Sequence, residues 1–431
     1  MLFLYNLLFP LAFIFFIPGM IIKYIRRGGE KNNYLERFSI FSKKKKTLLK
    51  QLHHPVWIHS VSVGETVIAV NMIQKWLAET DSSQQFVLST TTTTGQALAK
   101  SKVPENVVVI FCPIDFLPFV KKTLRLVNPA LLIIFETEIW PNLISKTSKM
   151  GIKTALVNAR ISDKSVKGYK RFSAFFAPTL KHLSLLCIQT ELDGNRFKSI
   201  EKTLTPIVCG NMKFDQKIPD KLPDLQMRKY FGSGNYKIIV AASTHPGEEN
   251  LLAKIFKSLK TKHKDLKMII VPRHAERGLE LSNMLNSLNI PHIRRSKNPD
   301  PTQKISDQAP EIVLADTTGE LLAIMQEAYL VIMGKSLAGH TEGHNIIEPA
   351  LLGKLVISGC TLRNFRYTLK AMLNDNAIIT VHSDDELKDT LEKFINNTNE
   401  CLEYGKRAAC AVQKHTGATE RTIELCKTLL K

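Results

Sequence analysis

The sequence predicts an α/β protein in which two doubly wound, Rossmann-like domains follow an N-terminal membrane-anchor helix. Short runs rich in Val and Ile alternate with longer helical patterns, which is typical of repeated strand–helix units. The alternation pauses at a charged stretch that contains two prolines, and then it starts again. The 431 residues correspond to about two or three domains of roughly 150 residues each. That length is enough for two separate hydrophobic cores.

Two series of candidate strands support this fold class. Unbroken apolar runs such as residues 130–135 favour strands that are covered on both faces, as in a parallel sheet. The first series comprises residues 56–60, 86–90, 107–111, 130–136, 153–158 and 185–189. The second series comprises residues 237–242, 267–271, 312–315, 329–333, 355–358 and 377–381.

The same patterns divide the chain into five parts. The expected parts are a membrane anchor at 1–22, a basic juxtamembrane segment at 23–50, a first Rossmann-like domain at 51–217, a linker at 218–225 and a second Rossmann-like domain at 226–431. The helical tail at the end of the second domain could also cross back onto the first domain.

The N-terminal stretch is apolar enough to serve as an anchor. Residues 2–22 carry no charged side chain, and a helix of that length extends about 31 Å, which reaches across a bilayer. No basic residue precedes the stretch and no A-x-A-like site follows it, so a retained anchor is favoured over a cleaved signal. Because Asn6, Pro10 and Pro18 weaken a spanning helix, a segment that lies in the membrane interface is the alternative.

The charge of the chain predicts anionic partners. Residues 23–50 contain ten Lys and Arg residues against two Glu, a bias that places the following domains on the cytoplasmic side of the inner membrane. The whole chain has a formal net charge of +20. With an anchor present, we expect anionic inner-membrane lipids and a phosphorylated lipid as partners rather than nucleic acid. No zinc-finger spacing, RNP-like motif or basic region with heptads is present in the sequence.

The sequence indicates no metal and no cofactor. The seven cysteines are scattered singly, which is typical of reduced thiols in a protein that faces the cytosol. Neither G-x-x-x-x-G-K-[ST] nor G-x-G-x-x-G after a strand is found, so neither NTP hydrolysis nor dinucleotide redox chemistry is indicated. His340 and His344 are four residues apart, but nothing like H-E-x-x-H joins them.

Polar motifs after the first strands supply candidate site residues, since ligands of open parallel sheets bind beyond the carboxyl ends of the strands. Glu65 ends the motif SVSVGE at 60–65, where a carboxylate could act as general base toward a substrate hydroxyl and Gly64 would allow a close backbone approach. The alternative is an ordinary Glu in the first helical turn, where the helix dipole stabilises the carboxylate and lowers its pKa.

Three further motifs of the first half fall at strand ends. Glu136 and Glu138 lie in ETEIWPN at 136–142, and Arg160 could grip an anionic group with two hydrogen bonds. Thr94 closes a run of hydroxyl residues. Helix capping for this run and helix initiation by Pro141 are the structural alternatives.

The second half contains several features of an anion-binding site. The motif STHPGEE at 243–249 leads into a helix, whose first free N–H groups can hold a phosphate, and PRH at 272–274 adds a cation. DTTGEL at 316–321 is another loop that enters a helix. In GHNIIEPA at 343–350, Asn345 and Glu348 are three residues apart, hence on one helical face, where a Glu could bind a ribose diol.

Taken in order, these motifs resemble those of the 3-deoxy-D-manno-octulosonic acid (Kdo) transferases of lipopolysaccharide biosynthesis. The resemblance covers nearly the whole chain. It is carried by the anchor and by the motifs SVSVGE (60–65), ETEIWPN (136–142), NAR (158–160), GNMKFD (210–215), STH (243–245), PRH (272–274) and GHN (343–345) followed by Glu348.

The resemblance implies a GT-B fold with two domains facing a cleft, CMP-Kdo as donor and lipid A or its tetraacyl precursor as acceptor. It also implies an inverting, metal-independent glycosyl transfer with Glu65 as the catalytic base, and it leaves open how many Kdo residues are added. The implied acceptor-binding residues are Ser62, Gly64, Thr94, Glu136, Glu138 and Arg160. The implied donor-binding residues are Ser243, Thr244, His245, Pro272, Arg273, His274, Gly319, Glu320, Leu321, His344, Asn345 and Glu348.

One residue departs from the family pattern. Glu342 stands before Gly343, where the family often has a second glycine, and a carboxylate there would repel an anionic donor unless it turns away. Two other functions remain open at the level of sequence. They are a membrane-bound GT-B enzyme that uses a UDP-sugar, and a non-enzymatic adaptor that binds anionic lipid or RNA.

Overall fold

The computed structural model describes residues 2–9, 13, 33–80, 83–302 and 309–430. The chain forms two compact units. The first unit comprises Met1–Asp215 together with Thr416–Lys431, and the second unit comprises Gln216–His415. The segment expected as a linker, 218–225, therefore belongs to the second unit, and the last helix belongs to the first.

The first unit contains a seven-stranded parallel sheet with the strand order β3-β2-β1-β4-β5-β6-β7. Its strands are β1 (Val56–Ser60), β2 (Phe86–Thr90), β3 (Val108–Phe111), β4 (Leu131–Phe135), β5 (Lys153–Ala159), β6 (Leu185–Ile188) and β7 (Ile207–Val208). The last of these has two residues and was not expected from the sequence, because two residues are too short to show an alternation of apolar and polar positions.

The second unit repeats this architecture with the strand order β10-β11-β9-β8-β12-β13-β14, again parallel throughout. Its strands are β8 (Lys237–Thr244), β9 (Leu266–Pro272), β10 (His292–Arg294), β11 (Ile312–Leu314), β12 (Leu330–Met333), β13 (Leu355–Gly359) and β14 (Ile379–Val381). Strand β10, with three residues, was also missed by the sequence prediction.

Helices connect the strands in both units. Those of the first unit are α1 (Lys43–Gln51), α2 (Val63–Glu79), α3 (Thr93–Lys102), α4 (Leu117–Val127), α5 (Pro141–Lys149), α6 (Asp163–Arg171), α7 (Ser173–Leu180), α8 (Glu191–Ile200) and, at the end of the chain, α16 (Ala418–Thr428). Those of the second unit are α9 (Glu248–Lys260), α10 (Gly278–Ser287), α11 (Leu321–Gln326), α12 (Ile347–Leu351), α13 (Arg366–Asn374), α14 (Asp384–Asn396) and α15 (Thr398–Lys414).

The core of each unit lies against its sheet. Trp57 and Ile58 are neighbours on β1 whose side chains point to opposite faces, and both are completely buried. They belong to two different apolar clusters, so the sheet of the first unit is covered on both faces. This is the reason why its strands read as unbroken apolar runs.

The last helix is tied to the first unit by hydrogen bonds as well as by packing. The Asp215 carboxylate accepts bonds from the backbone N–H groups of Gly417 and Thr419, both at 2.6 Å. Ile423 and Cys426 of α16 are fully buried in the same apolar cluster as Ile58. Asp215 therefore satisfies N–H groups at the start of α16, which have no partner within the helix.

Most of the expected anchor, 1–22, lies outside the described residues. Residues 2–9 are helical. Over the described parts of the chain, no helix combines the length and the apolar character needed to cross a membrane. The basic segment that follows is described from residue 33 onward, and its Lys43–Gln51 portion forms α1.

The order of the strands reverses direction at the centre of each sheet. In the first unit this point lies between β1 and β4, and in the second it lies between β8 and β12. At such a point the loops that follow two neighbouring strands run in opposite directions, which opens a crevice at the carboxyl ends of the strands. Ligands of doubly wound sheets bind in this crevice. Glu65 follows β1 and Glu136 follows β4, whereas His245 follows β8 and Lys335 follows β12.

Candidate active site

The first unit gathers three carboxylates and two cations at the carboxyl ends of its central strands. The carboxylates are Glu65, Glu136 and Glu138, and the cations are Arg160, after β5, and Lys213, just before Asp215. Electrostatic effects link Glu65 to Glu136, to Glu138 and to Lys213. We refer to these five residues as the carboxylate cluster.

Glu65 is fixed at the start of α2 by a capping box. The Ser62 hydroxyl accepts a bond from the Glu65 N–H group at 3.3 Å. In return, the Glu65 carboxylate accepts bonds from the N–H groups of Val61 at 2.8 Å and Ser62 at 3.4 Å, and from the Ser62 hydroxyl at 2.8 Å. The side chain is only 6% exposed. The arrangement gives Glu65 one defined orientation and satisfies free N–H groups near the helix end.

The pKa of Glu65 is raised above its ordinary value. Burial is the largest cause and the negative charge of Glu136 is the second, while the hydrogen bonds from Val61 and Ser62 act in the opposite direction. The sequence argument that the helix dipole lowers this pKa is therefore wrong in its net direction. It left out the loss of water and the second carboxylate, which together outweigh the favourable dipole and hydrogen bonds.

Glu136 is held by the two cations of the cluster. Its backbone has a φ of 55°, a left-handed conformation that non-glycine residues rarely adopt. Arg160 donates to one Glu136 oxygen from Nε at 3.0 Å and Nη2 at 2.9 Å, and the Lys213 ammonium lies 3.6 Å from the other oxygen. Arg160 was expected to grip a ligand, but in this structure it already pairs with Glu136. Burial lowers the pKa of Lys213.

Glu138 is the carboxyl group of the cluster with the most strongly shifted pKa. Burial, followed by the charge of Glu65, raises its pKa to about 7, against an opposing hydrogen bond from the Trp140 indole at 3.1 Å. Near neutral pH this carboxyl group is therefore partly protonated, unlike an ordinary surface Glu.

The other two acceptor candidates occupy simpler positions. A Cβ atom added to Gly64 would meet only the Ser62 hydroxyl, at 3.9 Å, so the backbone is open there. Thr94 is exposed near the start of α3, and the helix is capped by Thr92, whose hydroxyl accepts a bond from the Gly95 N–H group at 3.1 Å. Both positions remain expectations for acceptor binding.

In the second unit, imidazole and cationic side chains meet near the ends of β8 and β9. The Nε2 atoms of His245 and His344 are 2.9 Å apart, and their rings stack with centroids 5.1 Å apart. His274 and His340 lie 6.0 Å and 5.6 Å from the His245 ring. Arg273 follows Pro272, the last residue of β9, and its side chain is exposed.

The paired imidazoles are uncharged at neutral pH. Burial is the largest cause that lowers the pKa of His245 to about 4, with further effects from Lys335 and neighbouring imidazoles. Burial and the charge of neighbouring cations likewise lower the pKa of His344 to about 4. These rings therefore offer hydrogen bonds at neutral pH, while the positive charge comes from Arg273 and Lys335.

Asn345 and Glu348 come together as expected, but not on one helical face. Helix α12 begins at Ile347, so Asn345 precedes it. The two side chains meet because the Asn345 amide donates to Glu348 at 3.0 Å, as well as to Gln216 at 2.8 Å. Burial raises the pKa of Glu348, opposed by Asn345 and by the charge of Arg273.

In the loop before α11, the donor candidate Glu320 is paired within the protein. Glu320 receives two bonds of 2.7 Å from Arg295 and one from the Thr317 hydroxyl, and these bonds hold the pKa of Glu320 below its ordinary value. Its carboxylate is therefore occupied within the protein. Gly319 has a φ of 84° with no atom within 4 Å of an added Cβ, and Leu321 begins the helix.

The two donor candidates that end β8 differ in their environments. Ser243 has a φ of 55°. Thr244 is fully buried, and no described residue offers a hydrogen-bond partner to its hydroxyl. Within the described residues, no group of three or more His, Cys, Asp and Glu side chains is arranged to hold a metal ion.

Sequence reasoning missed three residues of these sites. Lys213 was quoted within GNMKFD but given no role, although it pairs with Glu136 from more than 70 positions away. Glu248 was quoted only within STHPGEE, and Lys335 was not singled out. Glu248 and Lys335 follow the predicted central strands β8 and β12, and this position is the signal by which they could have been found.

Comparisons with known proteins agree with the motifs. Residues 32–216 match the family model described as 3-Deoxy-D-manno-octulosonic-acid transferase (kdotransferase). A 3-deoxy-D-manno-octulosonic acid transferase from Rickettsia felis is 30% identical over 378 residues, which cover 87% of this chain and 79% of the relative. The chain belongs to the 3-deoxy-D-manno-octulosonic acid (Kdo) transferase family. A relative of the same name from Haemophilus influenzae is 28% identical over 380 residues, which cover 87% of each chain.

Membership of the Kdo transferase family confirms that the protein is an enzyme, a glycosyltransferase. The fold agrees with this assignment. The crystal structure of a glycosyltransferase from Rickettsia africae matches with a TM-score of 0.59 over 88% of this chain and 99% of that chain, at 14% sequence identity. The prediction of an α/β, GT-B-like fold with two parallel-sheet domains is thereby confirmed.

The carboxylate cluster predicts a specific pH dependence for this Kdo transferase. In the variant Glu136→Gln, a negative charge next to Glu65 is lost, so the pKa of Glu65 should fall. A catalytic base must be ionised, so with Glu65 in the base role proposed below we expect the acidic limb of the kcat/KM profile to move to lower pH. Measuring the rate of transfer against pH for both proteins checks this expectation.

A matched charge change outside the cluster serves as the control. Glu105 is exposed between α3 and β3, and Glu105→Gln should leave the acidic limb unchanged. An acidic limb that stays in place, or moves to higher pH, in Glu136→Gln would contradict the proposed coupling of the two carboxylates.

Proposed function

We propose that this enzyme transfers Kdo from CMP-Kdo to lipid A, in the form of its tetraacyl precursor, during lipopolysaccharide biosynthesis. The observation that carries the proposal is the buried Glu65 carboxylate, with a raised pKa, at the central strands of a Kdo transferase fold. The reaction is proposed to be inverting and independent of a metal ion. Glu65 then acts as the base, and the leaving group is CMP.

The chemistry needs a base on the acceptor side. An acceptor hydroxyl attacks the anomeric carbon of Kdo and loses its proton to the Glu65 carboxylate, while the bond from that carbon to the phosphate oxygen of CMP breaks. A carboxylate in water is a weak base. Burial and the neighbouring Glu136 charge make Glu65 a stronger one, although it remains fixed by bonds from Val61 and Ser62.

The remaining members of the carboxylate cluster position and tune this base. The two cations Arg160 and Lys213 hold the Glu136 carboxylate in one orientation, so that its charge acts on Glu65. We propose that Glu138, with a pKa of about 7, binds an acceptor hydroxyl as a donor or an acceptor of a hydrogen bond. Ser62, Gly64 and Thr94 are proposed to line the acceptor position.

The donor is proposed to bind to the second unit. Arg273 supplies positive charge for the phosphate, and the neutral His245 and His344 rings supply hydrogen bonds. Asn345 and Glu348 form a polar pair suited to the ribose diol. Because Glu320 is paired with Arg295, we propose that it supports the loop rather than binding the nucleotide directly.

Mass spectrometry tests the proposed reaction directly. The purified protein is incubated with CMP-Kdo and the tetraacyl precursor of lipid A, and the lipid products are weighed. We expect the mass of the lipid to rise by whole Kdo units, and the number of units gives the number of transfers. Glu65→Gln should reduce the rate by about a hundredfold or more, the usual contribution of a positioned base, and should spare CMP binding.

Two comparisons make this test decisive. Glu191 also stands in a first helical turn, at the start of α8, and Glu191→Gln should transfer Kdo at the normal rate. A normal rate in Glu65→Gln would remove Glu65 from the base role.

A competition experiment tests the nucleotide of the donor. CMP should displace bound donor while UDP does not, and the reverse would favour an enzyme that uses a UDP-sugar.

We also propose that the enzyme is attached to the cytoplasmic face of the inner membrane through its N-terminal segment. Tyr5 donates a bond to Asp115 at 3.1 Å, and the side-chain amides of Asn6 and Asn142 exchange two bonds of 2.9 Å. These polar contacts hold one side of the helix at 2–9 against the first unit. The bonds with Asn142 also satisfy the polar amide of Asn6, which would have no such partner in a helix that spans the membrane alone.

The other side of the same helix presents apolar side chains to the surroundings. Phe3 is 82% exposed, and Leu4, Leu7 and Leu8 are each about half exposed. A contiguous apolar patch of this kind marks a site of contact with another apolar phase. With the basic α1 in the same unit, the patch supports a segment that lies in the membrane interface and is drawn to anionic lipid.

Vesicle binding tests this attachment. The variant Leu7→Glu places a charge in the proposed lipid contact and should weaken binding to vesicles that contain phosphatidylglycerol by about tenfold or more. Leu402, in the second unit, is 54% exposed against 57% for Leu7, so Leu402→Glu is the matched control and should bind normally. Equal binding by both variants would contradict the proposed contact.

A further inference from the structure

The loop that follows β12 has an unusual backbone. It runs over residues 334–345, at the carboxyl end of the central strands of the second sheet. Within it, Lys335 has a φ of 58° and Ala338 has a φ of 49°. Both values lie in the left-handed region, which non-glycine residues seldom occupy without support from their surroundings. Lys335 is therefore held in place by something other than its own backbone preference.

The buried carboxylate of Glu248 supplies that support. Glu248 begins α9, directly after the turn that leaves β8, and its side chain is 0% exposed. One of its oxygens accepts bonds from the N–H groups of His245 and Lys335, both at 2.8 Å. The other oxygen accepts bonds from the N–H groups of Ser336 and Leu337, both at 2.9 Å.

These four bonds join the loop after β12 to the turn after β8. Four hydrogen bonds fix both oxygens of the Glu248 carboxylate, so Glu248 holds the two segments at a defined distance. The close approach of the two segments also requires Gly334, where an added Cβ atom would lie 2.5 Å from the Ser243 carbonyl oxygen. The backbone of Lys335 is thus positioned by contacts with Glu248 on one side and with the end of β8 on the other.

The backbone N–H groups of Lys335 and His245 bind the same Glu248 oxygen, so Lys335 stands next to a proposed donor-binding residue. Its positive charge contributes to the lowered pKa of both His245 and His344. The positive charge of Arg273 acts on the same two rings. Two cations, Lys335 and Arg273, therefore act on this pair of imidazoles. Among the described residues, no side chain forms a hydrogen bond or ion pair with the Lys335 ammonium group.

The same lysine also faces the carboxylate that departs from the family pattern. The pKa of Glu342 is lowered, mainly by backbone N–H groups and further by the charges of Lys335 and His340. Glu342 is half-buried, and the N–H group of Gly343 donates to the Lys335 carbonyl at 2.7 Å. Lys335 thus offsets the charge that would otherwise repel an anionic donor at this loop.

We propose that Lys335 is a phosphate-binding residue of this enzyme, that Glu248 is the positioning residue that places it, and that Lys335 compensates for Glu342. The proposal rests on the proposed function, since it takes the donor to be CMP-Kdo bound to the second unit. It adds a second cation, besides Arg273, at the phosphate. The two features that carry it are the left-handed backbone at Lys335 and the four N–H bonds to Glu248.

Calorimetric titration with CMP and with cytidine tests the proposal, because the two ligands differ only in the phosphate. In Lys335→Met, we expect CMP to bind about ten- to a hundredfold more weakly, as for loss of one charge-assisted hydrogen bond, and cytidine to bind as in the unchanged protein. Lys370 is exposed on α13 of the same unit. Lys370→Met removes the same charge elsewhere and should bind CMP normally.

The role of Glu248 is tested by a double-mutant cycle. Glu248→Gln replaces an acceptor of four bonds by a group that can accept fewer, and should weaken CMP binding in the unchanged background. In the Lys335→Met background the same substitution should have little further effect on CMP, because its effect acts through Lys335. Full additivity of the two losses would show that Glu248 does not act through Lys335.

The other outcomes also decide the matter. Unchanged CMP binding in Lys335→Met, or equal weakening of CMP and cytidine, would overturn the phosphate contact. If the unchanged protein binds neither CMP nor cytidine, the proposed function fails as well. If it binds CMP tightly and Lys335→Met does too, only the role of Lys335 fails.

Discussion

The withdrawal of the Glu65 carboxylate from water, next to a second carboxylate, is the interaction on which the proposed chemistry of the first unit depends. A Glu at the third position of a helix is ordinarily stabilised as the anion. Here the 6% exposure of Glu65 and the charge of Glu136 reverse the net effect on its pKa. The cations Arg160 and Lys213 bind Glu136 rather than Glu65. They therefore keep the neighbouring charge in place and leave Glu65 free to take up a proton.

Each unit contains a glutamate that accepts backbone N–H bonds at the turn after its central strand, but the two glutamates differ in what surrounds them. Glu65 receives bonds from residues just before its own helix and is coupled to a second carboxylate. Glu248 receives four bonds, three of them from the loop after β12. In our proposal the first arrangement makes a base, and the second joins two segments so that their side chains can bind a ligand. The same position in a doubly wound sheet thus supports two different tasks.

The sequence was sufficient to predict the parts of the fold that depend on local patterns. The buried strands β1 and β4 were found because they are rich in apolar residues. Strand β7 was missed because it has two residues, and β10 because its single Ile lies between His292 and Arg294. The position of Glu65 at the start of a helix was predicted, but the direction of its pKa shift was not. Glu136 comes close to Glu65 only because β1 and β4 are neighbours in the folded sheet. Similarly, the pairing of Glu320 with Arg295 was not predicted, because the two residues are 25 positions apart in the sequence.

The most direct test of the central claim is a titration of the Glu65 carboxyl group itself. The protein is labelled with carbon-13 at the glutamate side-chain carboxyl carbons, and the resonance of Glu65 is identified by its loss in Glu65→Gln. Its chemical shift is then followed against pH. A pKa above the ordinary glutamate value is the result expected from burial beside Glu136. A pKa at or below that value would show that the hydrogen bonds and the helix dipole dominate, and that Glu65 is a capping residue and not a tuned base.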